Sequence, residues 1–272
     1  MPSNKPFKFS APGFAQMSRR AAITGAALAA IIAEGTGFVL GLAVAWRLTG
    51  GRLTLPWAVL LERDKLKHLM AVNRDVMIRT AALIAAFLFF TAQGARSGDQ
   101  ILAANAVLNN FLLISAFFLD GLATAAEQIC GRAYGARNRV GFASAVRLVI
   151  LWGFGFAIAL SAIYALGGGA LIDAMTASAE VRALAREFLW LVALAPMLGV
   201  FAFAYDGVFI GATWARDMRN LMVLSLLCFL AAWFLLRPWG NAGLWGALLV
   251  HYVARGGLQA IRYPALLKRT FG

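Results

Sequence analysis

The sequence QILAANAVLNNFLLISAFFLDGLATAAEQICGRAYGARNR occupies residues 100–139 and carries strongly polar side chains inside a long apolar run. Four of them share a helical spacing: Asn105, Asn109, Asp120 and Glu127. At ~100° per residue, they fall within roughly 60° of one another on a helix surface. Because a carboxylate that faces lipid costs several kcal/mol, this polar stripe must face protein or a water-filled cavity, the usual setting of a substrate or ion pathway.

The composition places the chain in a membrane. It is 61% hydrophobic and 14% charged over 272 residues, outside the range of soluble domains. Seven apolar runs are long enough to span a ~30 Å hydrocarbon core. They lie at 21–48, 76–95, 100–130, 141–167, 182–212, 217–236 and 240–263. We therefore predict an all-α, polytopic membrane helix bundle of about seven transmembrane helices, in contact with lipid in the cell (inner) membrane.

The spans predict four regions. A polar, basic N-terminal segment covers residues 1–20, and the first span covers 21–48. Residues 49–75 form the one long connection, whose amphipathic part predicts a linker lying along the cytoplasmic interface. The remaining residues, 76–272, form a six-helix unit.

Basic residues predict the orientation. They are concentrated at alternate junctions, which places the linker, the loops at 131–140 and 213–219, and the C-terminus in the cytoplasm. An odd number of spans then leaves a basic N-terminus outside, which suggests that the chain begins in the middle of a larger protein. The net charge of +13 does not indicate nucleic-acid binding, because the cations lie between apolar segments rather than on one face.

Other chemistry is not indicated by the sequence. Cys130 and Cys228 are far apart, and His68 and His251 are isolated, so neither a disulfide framework nor a metal site is predicted. No Ser/His/Asp set or P-loop is present, so we expect no enzyme, no ATP-driven transport and no cofactor.

Two motifs carry a family resemblance. The polar-stripe run through Gly131-Arg132-Ala133-Tyr134-Gly135 resembles the multidrug and toxic compound extrusion (MATE) transporters. Residues 205–220, YDGVFIGATWARDMRN, look like the tenth helix and following loop of the DNA-damage-inducible-F-like branch of that family. The resemblance covers about residues 20–270.

The resemblance implies a fold and a function. MATE transporters have two six-helix lobes around a cleft that opens alternately to each side, and this chain corresponds to helices six to twelve. The implied activity is export of organic cations or amphipathic drugs by antiport coupled to H+ or Na+. The implied partner is a missing N-terminal lobe or a second copy. The proton-responsive carboxylates of this branch are assigned to helices that the chain lacks. The sodium-type branch has an acid on helix seven, and the matching span here offers only Thr80, Thr91 and Gln93.

Two acids of the stripe have open roles. Asp120 is either a cleft-facing acid that binds a cationic substrate or a proton, or a structural acid that accepts hydrogen bonds from a neighbouring backbone group or from Asn105 and Asn109. Glu127 lies nearer the cytoplasmic interface, where a carboxylate can reach water or pair with Arg132, and this structural role is the favoured interpretation.

The fifth span contains a second candidate group. Pro196 opens the helix and predicts a hinge, together with Gly207. Asp206 beside Gly207 fits either a gating element or a helix-end acid paired with Arg216 or Arg219.

Three other functions remain open. A lipid-linked sugar flippase of the related superfamily would need a more cationic cavity to hold phosphate, which the acidic stripe disfavours. A seven-helix receptor fits the span count, although the basic linker divides the spans one plus six. A truncated remnant would not transport, and we expect that this chain by itself does not perform coupled export, because alternating access needs two lobes.

The orientation is testable by labelling. In a background lacking Cys130 and Cys228, we expect Lys65→Cys and Arg137→Cys to be protected from an impermeant external thiol reagent. Ala170→Cys, on the opposite side, should be labelled, because the basic loops stay in the cytoplasm. Strong external labelling at position 137 would contradict this orientation.

Overall fold

The structure, a computed structural model, describes residues 12–50 and 62–272, with the side chains of residues 12–22 and 68 excepted. Seven long α-helices occupy these ranges. They are α1 (Pro12–Leu48), α2 (Arg63–Arg96), α3 (Asp99–Gly135), α4 (Arg139–Met175), α5 (Ala179–Gly211), α6 (Ala215–Leu236) and α7 (Gly240–Phe271). The described residues contain no β-strand.

The all-α membrane fold is confirmed. Six helical segments of the described residues are long and apolar enough to cross a membrane by length and composition. The last segment, Ala215–Phe271, contains two helices, because a 3-10 turn at Arg237–Trp239 separates α6 from α7. Gly240 follows this turn with a φ of 57°, a conformation that favours glycine. Each of the seven predicted spans thus lies on a helix.

The chain divides into two compact units, Met1–Arg63 and Asp64–Gly272. In the first unit, α1 exposes apolar side chains along its described length, from Ile23 to Leu48. Residues 1–11 of the expected N-terminal segment and residues 51–61 of the expected linker lie outside the described residues. Residues 12–20 of that segment belong to α1.

Two helix boundaries differ from those predicted. Helix α2 begins at Arg63, so residues 63–75, predicted as linker, are continuous with the second span. Helix α4 continues through Gly167-Gly168-Gly169, beyond the predicted span end at residue 167, and ends at Met175. Gly168 has a packing reason, since a Cβ there would lie 2.8 Å from a methyl group of Leu189 on α5.

Helix α5 is the centre of the second unit. It packs against α3, α4 and α7, and most of its apolar length is buried. Helix α2 contacts the bundle through aromatic edges, with Phe89 against Trp233 of α6 and Phe90 against Trp245 of α7 at centroid distances of 4.9 Å. This arrangement positions α2, α3, α5 and α7 around one interior space.

Close approach of α5 to α3 depends on two glycines one turn apart. A Cβ at Gly207 would overlap the carbonyl oxygen of Ala123, and one at Gly211 would lie 3.1 Å from the Cα atom of Glu127. Such a small-xxx-small pair lets two helix backbones touch. These contacts hold the segment that carries Asp206 against α3.

Gly207→Ala tests this packing. The added methyl group meets a backbone carbonyl that no rotamer change relieves, so we expect the free energy of unfolding to fall by about 1–3 kcal/mol. Gly155→Ala on α4 is the matched control, because a Cβ there meets nothing within 4 Å. Unfolding by denaturing detergent, followed by circular dichroism, measures both. Equal stability of the two variants would contradict the close contact.

Candidate functional site

A cavity of about 450 Å3 lies among four helices of the second unit. Its walls come from α2, α3, α5 and α7, and they are mainly apolar and aromatic. The lining residues are Arg79, Leu83, Phe87, Thr91, Asn109, Leu112, Leu113, Ala116, Asp120, Phe203, Tyr252 and Arg255. The cavity thus combines a broad apolar surface with a few charged groups.

Asp120 supplies a free carboxylate to this cavity. Its side chain is exposed, and it makes no hydrogen bond or ion pair with the residues that the structure describes. The bonds from Asn105 and Asn109 expected for a structural acid are not formed. Asn109, which precedes Asp120 on α3 and is half-buried, also lines the cavity. Two members of the polar stripe therefore face the same space.

Asp206 lies at the centre of a buried ion network. Its side chain is 4% exposed, and its Oδ2 atom accepts hydrogen bonds from both Arg79 of α2 and Arg255 of α7. Its Oδ1 atom accepts a third from Nε2 of Gln259 at 2.8 Å. The interpretation of Asp206 as a helix-end acid paired with Arg216 or Arg219 is therefore wrong, and its role in gating stays a prediction. Three helices are tied together by one carboxylate.

The two arginines connect this network to the cavity. Both line the cavity wall, and the guanidinium of Arg255 also lies over the ring of Phe203 at 5.3 Å. Each arginine uses a single Nη2 atom on Asp206, while the Nε atom of each has no partner. The cavity is therefore not purely acidic, as the stripe suggested, because two guanidiniums form one of its walls.

Asn105 belongs to a separate amide network. It exchanges two hydrogen bonds with Asn241 of α7, at 2.8 and 3.0 Å, and accepts a third from the indole nitrogen of Trp245 at 2.9 Å. All three side chains are buried. Asn105 also borders a small cavity of about 140 Å3 beside Gly94. The structure thus places it in a clamp between α3 and α7.

Glu127 and Gln93 lie outside the main cavity. Both are half-buried, and neither side chain forms a hydrogen bond with the described residues. The expected pair of Glu127 with Arg132 is not formed in the part of the chain that the structure describes. The polar stripe is thus divided: Asn109 and Asp120 line the cavity, whereas Asn105 and Glu127 do not.

The predicted hinge residues are both buried in α5. Helix α5 is continuous through Pro196, which lies near Tyr252 and borders a minor void. Gly207 contacts the backbone of α3, so its smallness serves close packing in this conformation. Neither observation tests hinge motion, and the hinge stays a prediction.

Arg255 and Gln259 are site residues that sequence reasoning missed. Arg255 is a lone cation in an apolar stretch of the last span, and an ionisable residue within a span is by itself a signal of function. Gln259 follows one turn later on the same face. Arg79 lies near the start of the predicted span 76–95, and its reach to Asp206 is visible only in the folded bundle.

A second polar layer joins the helices near the ends that carry the basic loops. Asp75 of α2 is buried and accepts a hydrogen bond from Nη1 of Arg219 at 2.6 Å. Asp217 of α6 accepts one from Arg262 of α7 at 2.8 Å. Arg219 thus pairs with an acid other than the one predicted.

A larger groove of about 640 Å3, between α4 and α5, lacks a comparable set of charged side chains. Its lining is apolar except for Ser161 and Arg186, and Arg186 pairs with Asp173 at 2.6 Å on the surface. We therefore take the smaller, charged cavity as the candidate site.

Comparisons with known proteins identify relatives of this chain. The sequence model of the MatE family matches residues 76–235. The chain is 36% identical over 241 residues to DNA damage-inducible protein F of Escherichia coli (strain K12). The aligned region covers 86% of this chain and 51% of that protein. The chain thus spans about half the length of this relative.

Solved structures agree on the fold. A MATE transporter of Vibrio cholerae in its bent form superposes with a TM-score of 0.80 at 20% identity, covering 93% of this chain and 58% of that one. A MOP superfamily transporter of Pyrococcus furiosus gives 0.65 at 18% identity, covering 71% and 43%. At these identities the likeness concerns the fold alone.

The buried network is testable through stability. Asp206→Asn leaves the buried Arg255 and the half-buried Arg79 without their counter-charge, so we expect a loss of about 3–5 kcal/mol in the free energy of unfolding. Asp173→Asn, which removes the solvent-accessible pairs with Arg182 and Arg186, should cost less than about 1 kcal/mol. Detergent unfolding compares the two, and a loss at Asp206 no larger than that at Asp173 would contradict the network.

Proposed function

This chain belongs to the MatE family, and from that premise we propose that it forms part of a secondary transporter that exports organic cations or other amphipathic compounds by ion-coupled antiport. The family assignment disfavours the seven-helix receptor. The cavity with its unpaired Asp120 is the observation that carries the proposal.

The size and lining of the cavity support a small-molecule site. Its volume of about 450 Å3 lies within the roughly 300–1,000 Å3 usual for such sites. Phe87, Phe203 and Tyr252 offer aromatic surface to an apolar body. The Asp120 carboxylate offers the charge that would orient a cationic group on that body.

Asp206 and Asp120 have different roles in this proposal. Asp206 is neutralised by two arginines and a glutamine, so it holds α2, α5 and α7 in place. Asp120 has no such partner and is free to exchange one cation for another. Antiport follows if a proton or a sodium ion and the substrate occupy Asp120 in turn, each binding to one state of the cleft.

A complete cleft would need a second lobe. Alternating access requires two bundles that rock against each other around a shared site. We propose that the partner is an N-terminal lobe or a second copy, embedded in the inner membrane with the C-terminus cytoplasmic. The partner would also shield Asp120 from lipid.

A lipid-linked sugar flippase is the second candidate. The guanidiniums of Arg79 and Arg255 at the cavity favour it, because arginine binds phosphate oxygens in a bidentate manner. Asp120 in the same cavity would repel a phosphate, so export of a cation-bearing compound remains the first choice.

Asp120→Asn tests the proposal. We expect at least a tenfold loss of energy-dependent efflux of a fluorescent cationic dye, since a charge-assisted contact is worth about tenfold or more in affinity. The chain is co-expressed with the part of the Escherichia coli relative that it does not cover, in cells lacking their own exporters. Glu127→Gln, on the same helix but outside the cavity, should leave efflux unchanged.

Membrane abundance separates the outcomes. Normal abundance of the Asp120 variant with lost efflux supports a cavity-facing acid. If efflux persists, or if abundance collapses together with it, Asp120 is not a substrate site and the proposal fails.

A further inference from the structure

The apolar groove between α4 and α5 ends in a cluster of charged side chains. We propose that this groove binds one phospholipid whose headgroup carries both a phosphate and an ammonium group with N–H donors, that is, phosphatidylethanolamine. The groove is separate from the cavity among α2, α3, α5 and α7, so the lipid would bind there whatever that cavity exports.

The walls of the groove suit an acyl chain. Its volume is about 640 Å3, with Ile158 and Ala162 of α4 on one wall and Trp190, Leu194 and Met197 of α5 on the other. The three α5 residues are three or four positions apart, so they share one helix face. Ile158 is 54% exposed and Trp190 is 60% exposed. On a membrane-spanning bundle, an exposed apolar surface of this kind is a contact site for lipid.

The groove has the depth of one membrane leaflet. On α5 its lining extends from Arg186 to Met197. At about 1.5 Å of rise per residue, these positions are ~16 Å apart along the helix axis. Half of a hydrocarbon core of ~30 Å is ~15 Å. One acyl chain can therefore lie along the groove with its headgroup at Arg186.

The charged cluster at this end consists of Asp173 of α4 and two arginines of α5. The Oδ2 atom of Asp173 accepts a hydrogen bond from Nη2 of Arg186 at 2.6 Å. Its Oδ1 atom lies 3.7 Å from Nε of Arg182, which is too far for a hydrogen bond. Arg186 crosses to α4 at Gly169, where a Cβ would lie 3.6 Å from its Nε atom. Two arginines and one acid leave a net positive charge at the end of an apolar groove.

The Oδ1 atom of Asp173 needs a donor. It is buried, and none of the described residues donates a hydrogen bond to it. Arg182 instead uses its Nε and Nη2 atoms on the backbone carbonyls of Thr176 and Asp173, at 2.7 and 3.2 Å. A buried acceptor without a donor is costly, particularly when it is charged. An ammonium group supplies the missing donor together with the matching charge.

Arg186 has donors to spare for a phosphate. Its side chain is 51% exposed, and among the described residues only its Nη2 atom donates a hydrogen bond. Guanidiniums bind phosphate oxygens through parallel N–H bonds. A headgroup with a phosphate at Arg186 and an ammonium at the Oδ1 atom of Asp173 therefore complements both charges of the cluster.

The test is native mass spectrometry of the purified chain in lipid-free detergent. Titration uses three phospholipids that share two oleoyl chains: phosphatidylethanolamine, its N,N-dimethyl derivative and phosphatidylcholine. Their ammonium groups carry three, one and no N–H donors. We expect the first bound phosphatidylethanolamine to be held at least about tenfold more tightly than phosphatidylcholine, because only N–H donors satisfy the Asp173 oxygen. The dimethyl lipid should lie between them.

Variants assign the preference to the charged cluster. Asp173→Asn should reduce the preference for phosphatidylethanolamine over phosphatidylcholine to less than about threefold, because the charge-assisted contact is lost. Arg186→Gln should weaken all three lipids, because each carries the phosphate. Glu187→Gln is the matched control, since Glu187 is exposed, adjacent in sequence and not part of the groove lining.

A further pair of variants tests the acyl-chain part of the groove. Ala162→Trp fills the space between the walls and should weaken all three lipids by at least about tenfold, since burial of two methylene groups is worth about that much. Ile163→Trp is the control, because Ile163 is an exposed neighbour on α4 that does not line the groove. Circular dichroism checks that each variant is folded.

Equal binding of the three headgroups would overturn the proposal, as would a preference that Asp173→Asn leaves intact. Equal effects of Ala162→Trp and Ile163→Trp would show only non-specific lipid contact and would also overturn it. Dioleoyl phosphatidylglycerol offers hydroxyl donors without a cation, so binding as tight as that of phosphatidylethanolamine would mean that the arginines alone select the lipid. The wild-type headgroup series decides the matter even if a variant does not fold, and none of these outcomes bears on dye export through Asp120.

Discussion

The carboxylate of Asp206 is a charge buried inside a helix bundle built to lie in lipid, and that position is tolerable only when the charge is compensated. Compensation comes from Arg79 and Arg255, which approach from two other helices, and from the amide of Gln259. Because each arginine would itself be costly without the acid, the three charges require one another. Helices α2, α5 and α7 are therefore held in one arrangement.

That arrangement depends on glycines of α5 and α7. Gly207 and Gly211 bring α5 against the backbone of α3, and Gly256 of α7 lies where a Cβ would come within 2.8 Å of the Ala202 backbone nitrogen. Such approaches are useful in a membrane, where association depends on close packing rather than on expulsion of water. The glycines thus bring Asp206 within reach of its partners.

The cavity follows from the same network. The arginines that neutralise Asp206 form one wall, and Asp120 on α3 faces the space from another. Asp206 is buried and fully engaged in this network, whereas the Asp120 side chain is exposed and has no hydrogen-bond or ion-pair partner among the described residues. In the MatE family, to which this chain belongs, such a cavity would lie on one side of a two-lobe cleft.

The sequence by itself determined the membrane class, the seven helices and the stripe whose middle faces the cavity, because run length and helical period are local properties. It also predicted the family from two motifs. It did not predict that Asn105 would pair with Asn241, 136 residues away, or that Asp206 would bind Arg79, 127 residues away. Only the tertiary structure decided these pairs, the packing role of Gly207 and the mixed charge of the cavity. The physical reason is that partners across helices depend on which faces meet, and apolar periodicity identifies a buried face without saying what it is buried against.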